Sequence, residues 1–144
     1  MHVYYISPDR KSVIRVINDF IKPNGIVGTP DGKILYVTDA SGGKTWKYKI
    51  NKDGSLADKT LLADIGCDGM TLDNDGNVYL TSFKSTVDIY SPEGKLLNSI
   101  PFPEIPANVC FGGPGHDILF ATSRTSLYCV KMNVVGFGKN MKEY

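Results

Sequence analysis

The sequence has no long apolar run. None of its apolar stretches approaches the roughly 18 consecutive residues of a membrane-spanning helix, and the N-terminal segment MHVYYISPDRK lacks a charged leader followed by an apolar segment. We therefore expect no membrane partner and, for the chain as given, a cytoplasmic location. The sequence leaves open whether an export signal precedes Met1.

The net charge is small, and cysteines are few. Sixteen Lys and Arg residues face fifteen Asp and Glu residues, which leaves a formal net charge of +1 and no basic stretch. Nucleic acid is therefore not expected as a partner. The three cysteines, Cys67, Cys110 and Cys129, are odd in number and unrelated in spacing, so a disulfide framework or a cysteine metal site is not expected. We expect all three to be buried free thiols.

Helical periodicity is missing too. No segment keeps a 3.6-residue apolar period for three turns. Residues 56–64 come closest, but their position in the repeat described below predicts an outer strand. That repeat is the main positive signal. Its three copies are PNGIVGTPDGKILYVTD from residue 23, CDGMTLDNDGNVYLTS from residue 67 and ANVCFGGPGHDILFATS from residue 107.

Each copy opens on a small polar residue, passes through a Gly-containing turn and enters a nearly continuous apolar strand. The opening residues, Asn24, Asp68 and Asn108, are 44 and 40 residues apart. The segments between the copies also have a strand, turn, strand pattern, so each unit holds four short antiparallel strands, which is typical of a β-propeller blade. Continuous apolar second strands are expected where both faces of a sheet are covered.

The units predict an all-β fold of about three blades. The expected divisions are an outer hairpin of a first, incomplete blade (1–22), a second blade repeat (23–66), a third blade repeat (67–106), a last partial blade (107–136) and a C-terminal tail (137–144). Closed propellers have about four to eight blades. We therefore expect a half-propeller that a second copy or a separate chain completes.

Innermost strands line the central channel of a propeller, so Asn24, Asp68 and Asn108 are expected around one channel mouth. Carboxylate and amide oxygens suit a hard divalent cation, with calcium first and zinc or manganese as alternatives. An Asp entering an apolar strand needs a partner, which favours Asp68 as a ligand or base. Asn24 can also be a turn residue beside the channel, and Asn108 can be a capped strand start.

The motifs PNGI, CDGMTLDNDGNVYLT and ANVCFGG, in this order and at these spacings, resemble the gluconolactonase-like lactonase family that includes regucalcin (senescence marker protein). The resemblance covers residues 3–136 and corresponds to the C-terminal half of the family's propeller. It implies half of a six-bladed propeller, with one divalent cation in the channel and hydrolysis of sugar lactones or related esters. It further implies that Asn24 is a metal ligand and that Asp68 is both a metal ligand and the catalytic general base.

The family's remaining metal ligands correspond to sequence that this chain does not contain. We therefore expect a small-molecule lactone as substrate, and a homodimer or a complementary half-propeller chain as partner. The alternative is a non-catalytic half-propeller that acts as a binding or assembly module.

Four further side chains are expected to have structural roles. Asp39 and Lys84 follow second strands and read as exposed loop charges, whereas Trp46 and Tyr48 are expected to pack between sheets. The segment LDNDGNVYL resembles a calcium-binding loop, but Val78 stands where that loop needs Gly. A hairpin turn is therefore expected there.

Overall fold

Strands and turns make up the part of the chain that the structure describes. A computed structural model describes residues 1–138, and no helix among them is long and apolar enough to span a membrane. The strands of these residues are β1 (Val3–Ile6), β2 (Val13–Ile17), β3 (Pro23–Gly28), β4 (Ile34–Asp39), β5 (Lys44–Ile50), β6 (Leu56–Ala63), β7 (Met70–Leu72), β8 (Val78–Ser82), β9 (Thr86–Tyr90), β10 (Leu96–Pro101), β11 (Pro106–Gly112), β12 (Ile118–Ser123) and β13 (Leu127–Lys131).

Within each sheet, strands that follow one another in sequence pair antiparallel. Four sheets result, with the orders β1-β2, β3-β4-β5-β6, β7-β8-β9-β10 and β11-β12-β13. This confirms the predicted all-β fold, a fragment of a propeller with four-stranded sheets. The predicted outer strand over residues 56–64 is β6, at the edge of its sheet. Of the expected C-terminal tail, residues 139–144 lie outside the described part.

Short polar turns, most of them with one left-handed residue, close the hairpins. In the β3–β4 turn the Gly32 N–H donates to Thr29 O at 2.8 Å, and Gly32 has a φ of +67°. The Asp31 carboxylate accepts from the Thr29 hydroxyl at 2.6 Å. In the β1–β2 turn Arg10 takes the left-handed position, with a φ of 59°. These local contacts explain why the turns of the strand, turn, strand pattern form hairpins.

The chain divides into two compact units, Met1–Gly66 and Cys67–Tyr144. The first unit buries an apolar cluster of Ile17, Phe20, Val37 and Tyr48, against which Trp46 packs. Residues from both of its sheets contribute, so the expected packing of Trp46 and Tyr48 is confirmed. Lys59 lies over the indole ring of Trp46, with Nζ 4.4 Å from the ring centroid.

The second unit has a larger core, which joins its two sheets. Tyr79 and Phe111 meet edge to face there, with ring centroids 5.1 Å apart. The buried members of this core are Tyr79, Val87, Ile89, Phe102, Val109, Leu119 and Ala121.

The second strands of the repeats are not all buried on both faces. All five residues of β8 are buried, as their continuous apolar run predicts. In β12 burial alternates instead: Leu119 and Ala121 are fully buried, while Phe120 and Thr122 on the other face are more exposed. The prediction is therefore wrong for β12, because one face of its sheet is open in the described part of the chain.

The same open face corrects the expectation for two cysteines. Cys67 is buried as predicted, but Cys110 and Cys129 are exposed. Both lie opposite Phe120 in register, on either side of β12. Two strand spacings, about 10 Å, separate them, which is beyond the reach of a disulfide. All three are free thiols, as expected.

Candidate functional site

Two of the three predicted site residues, Asn24 and Asn108, lie next to β-bulges in their strands. One extra residue of β3 interrupts its pairing with β4 between Pro23 and Ile26, next to Asn24. One extra residue of β11 does the same between Pro106 and Asn108. Such bulges re-aim side chains away from the regular pleat, and they are frequent beside active sites.

Asp68 precedes its strand instead of lying in it. It is half-buried and stands two residues before β7. Its backbone N–H donates to the Thr81 hydroxyl oxygen at 3.2 Å, and the Gly69 N–H donates to the same oxygen at 3.1 Å. The Thr81 N–H in turn donates to Gly69 O at 3.1 Å. The backbone that carries the Asp68 carboxylate is therefore held against β8.

Asn108 lies directly beside this segment. A Cβ atom placed on Gly69 would be 2.2 Å from Asn108 Oδ1 and 2.6 Å from Asn108 Cα, so only glycine fits after Asp68. Asn108 Oδ1 also accepts the N–H of Val109 at 2.9 Å. The structure thus brings Asn108 next to the Asp68–Gly69 segment.

Asn108 also borders a cavity of about 470 Å³ on the open face of its sheet. The lining residues are Asn108, Val109, Cys110, Phe120, Thr122 and Leu127.

Asn24 belongs to the first compact unit. It is the second residue of β3 and is exposed. Asp68 and Asn108 belong to the second unit. That Asn24 lies near Asp68 is therefore still a prediction, made from the repeat pattern.

The chemistry of these side chains fits a hard divalent cation, but their number is small. One carboxylate and two amide oxygens are the donor types that calcium takes, whereas calcium prefers about six to eight oxygens. Residues 1–138 contain no group of three or more His, Cys, Asp or Glu side chains that could hold a metal ion. Among the described residues, the three predicted side chains alone therefore fall short of the ligand number that calcium prefers.

A different acidic residue, Asp39, is buried for structural reasons. Its carboxylate accepts the backbone N–H groups of Ile21, Lys22 and Gly42 at 2.9, 2.8 and 3.0 Å. Burial opposes its charge, but these three donors outweigh burial and hold the pKa of Asp39 below its usual value. The expectation of an exposed loop charge is wrong for Asp39, because two of its three donors, Ile21 and Lys22, lie in a distant connection. It is confirmed for Lys84, which is exposed.

Asp73 is likewise an anchor. Its two carboxylate oxygens accept the N–H groups of Asp75 and Asn77, the Asn77 side-chain amide and the Tyr79 hydroxyl. Burial, together with the Asp73 charge, raises the pKa of the Tyr79 phenol. These bonds form a hairpin turn, as predicted for LDNDGNVYL, and they occupy the oxygens that a calcium loop would use.

Sequence reasoning missed Thr81 and Gly69. Their signal was available, because the repeats carry a Thr near the end of each second strand (Thr38, Thr81 and Thr122) and because Gly follows Asp68 directly. The sequence alone does not show that Thr81 contacts the backbone of Asp68 and Gly69, or that Gly69 contacts Asn108.

Comparison with known proteins agrees with this fold and with the motifs. The sequence model of the SMP-30/gluconolactonase/LRE-like region matches residues 1–125. Lactonase drp35 of Staphylococcus haemolyticus is 28% identical over 109 residues, which are 70% of this chain and 34% of that protein. The chain thus spans about a third of that relative's length.

Two solved structures share the fold. An X-ray structure of a proposed gluconolactonase has a TM-score of 0.85 and 28% identity, covering 94% of this chain and 47% of the other. The calcium-binding regucalcin of Agrobacterium tumefaciens has a TM-score of 0.75 and 22% identity, covering 87% of this chain and 45% of the other, a likeness that shows the fold alone. With a family match over most of its length, the chain belongs to the SMP-30/gluconolactonase/LRE-like family.

Proposed function

We propose that this chain is part of a divalent-cation-dependent lactone hydrolase. The observation that carries the proposal is the placement of the Asp68 carboxylate, half-buried and anchored through its backbone at the start of an inner strand. The family and its relatives named as lactonases support the reaction class. The substrate class that follows is a small-molecule lactone, such as a sugar lactone or a related ester.

Asp68 acts as general base and, with Asn24, as a ligand for the cation. Water adds to the carbonyl carbon of the lactone, and Asp68 accepts the proton of that water. The ring carbon–oxygen bond then breaks, Asp68 returns the proton to the leaving ring oxygen, and a hydroxy acid is released. A bound divalent cation supplies an electrophile for the carbonyl oxygen and lowers the pKa of water.

Uncharged amide oxygens from Asn24 and Asn108 contribute to the site without cancelling the charge of a cation. Oxygen donors favour calcium, and a structural relative is a calcium-binding protein. Zinc and manganese are the alternatives.

The donors named here are too few for calcium, and the chain covers 47% and 45% of the two solved relatives described above. We therefore propose that the remaining donors come from further blades, supplied by a second copy in a homodimer or by a complementary half-propeller chain. Asp68 is part of the site both in the homodimer and in the pairing with a complementary half-propeller chain.

The test is hydrolysis of glucono-δ-lactone, followed by acid release in a pH-stat with and without calcium. Wild type is expected to be calcium-dependent, and Asp68→Ala is expected to lose at least about 100-fold in kcat/KM, in the range that removal of a general base costs. Asp75→Ala is the matched control, because it removes an exposed carboxylate of the same unit.

Equal rates for Asp68→Ala and Asp75→Ala would contradict the assigned role of Asp68. Absence of both hydrolysis and any rise of Tm with calcium would favour the non-catalytic binding or assembly module instead.

A further inference from the structure

Thr81 makes an unusual set of contacts for a buried threonine. Only 2% of it is exposed, and its hydroxyl oxygen accepts two consecutive backbone N–H groups, those of Asp68 and Gly69. Its own backbone N–H donates back to Gly69 O at 3.1 Å. Three hydrogen bonds therefore join one residue of β8 to a dipeptide that is outside any regular strand.

The two accepted N–H groups flank the Cα atom of Asp68. One belongs to the peptide before that atom and the other to the peptide after it. Fixing both peptides restrains φ and ψ of Asp68 together, and these angles set the direction of its Cα–Cβ bond. The hydroxyl of Thr81 thus restrains the direction of the carboxylate through the backbone.

The equivalent threonine of the next repeat does not do this. Thr122 is exposed, and its hydroxyl donates to the carbonyl oxygen of Asn108 at 3.4 Å. The two equivalent threonines of the second unit therefore make different contacts, and of these two Thr81 is the buried one.

We propose that Thr81 is a positioning residue that aims the Asp68 carboxylate at the cation site. This inference rests on the proposed function, since it assigns Thr81 to the same site. Groups that orient metal ligands typically change affinity by about 10- to 100-fold when they are removed.

The test is a calorimetric titration with calcium alone on four proteins: wild type, Thr81→Val, Thr81→Ser and Thr45→Val. Thr81→Val keeps the shape but leaves two N–H groups without their acceptor, and it is expected to weaken calcium binding by about tenfold or more. Thr81→Ser keeps the hydroxyl and is expected to restore affinity to within about threefold of wild type.

Thr45→Val is the matched control. Thr45 is also fully buried, and its hydroxyl donates to the backbone oxygen of Ile65 at 2.8 Å, in the first unit. Losing this bond is expected to lower stability as Thr81→Val does, and to leave calcium affinity unchanged. A merely structural role for Thr81 would make the two valine variants alike in this titration.

Amide hydrogen exchange gives a readout that does not need the cation. The amides of Asp68 and Gly69 are expected to exchange faster in Thr81→Val than in wild type, and at the wild-type rate in Thr81→Ser. Unchanged exchange in Thr81→Val would overturn the inference. If Thr81→Val does not fold, Thr81→Cys replaces it, since a thiol is a weak acceptor of similar size, and the same loss of affinity is expected.

The Asp68→Ala variant distinguishes a failure of the proposed function from a failure of the positioning role of Thr81. If Asp68→Ala binds calcium as wild type does, the proposed function is wrong and the inference falls with it. If Asp68→Ala loses calcium while Thr81→Val and Thr45→Val bind alike, the proposed function stands and the positioning role of Thr81 is wrong.

Discussion

Replacing Gly69 by alanine tests the close packing beside Asp68. The new Cβ would lie 2.2 Å from Asn108 Oδ1 and 2.6 Å from Asn108 Cα, and the second atom belongs to the backbone of β11. A side chain can rotate away from such a contact, but a strand backbone has to shift. Overpacking of this kind costs about 3 kcal/mol, which corresponds to a fall of roughly 10 °C in Tm for a domain of this size.

Gly28→Ala is the matched control for this substitution. Gly28 is also a strand glycine, but the nearest atom to its added Cβ would be Ile34 O at 3.7 Å, an ordinary contact. Urea denaturation followed by far-UV circular dichroism measures both variants against wild type. Equal stability of Gly69→Ala and Gly28→Ala would refute the reasoning about the contact with Asn108.

Two further predictions concern stability. Asp39→Asn should be less stable than wild type at neutral pH, and the difference should shrink as the pH falls below about 4, because a carboxyl with a lowered pKa stabilises the fold only while it is ionised. Urea denaturation at several pH values checks this, and a difference that does not change with pH would contradict it. Leu119→Ala should cost about 3 kcal/mol, because Leu119 is fully buried, whereas Leu127→Ala should change stability by less than about 0.5 kcal/mol, because Leu127 is 66% exposed. Thermal unfolding compares the two, and similar losses would show that the core is assigned wrongly.

The features that the sequence predicts well are local ones. Turn residues such as Asp31 and Gly32 bond within their own hairpin, and the apolar strands that follow repeat every 40 to 44 residues. Antiparallel pairing of consecutive strands follows from these short connections. The four-stranded sheets were therefore within reach of the sequence.

The features that it predicts poorly depend on distant partners. The sequence predicts an exposed loop charge at Asp39, because it does not show that the backbone N–H groups of Ile21 and Lys22 donate to the Asp39 carboxylate. Cys110 looks buried because its strand is apolar, but burial needs a second sheet over the same face, and periodicity does not report that sheet. Thr81 resembles any strand threonine, and only its register against the Asp68–Gly69 segment gives it a role.

Paramagnetic broadening by manganese tests the shared cation site most directly. Substoichiometric Mn²⁺ is added to ¹⁵N-labelled protein, and the amide signals that lose intensity first report the residues nearest the ion. If one site gathers the starts of the inner strands, the signals of Asn24, Asp68 and Asn108 disappear together and return when excess calcium is added. Broadening confined to exposed turn carboxylates such as Asp31 and Asp53, with Asn24 and Asp68 unaffected, would contradict the account.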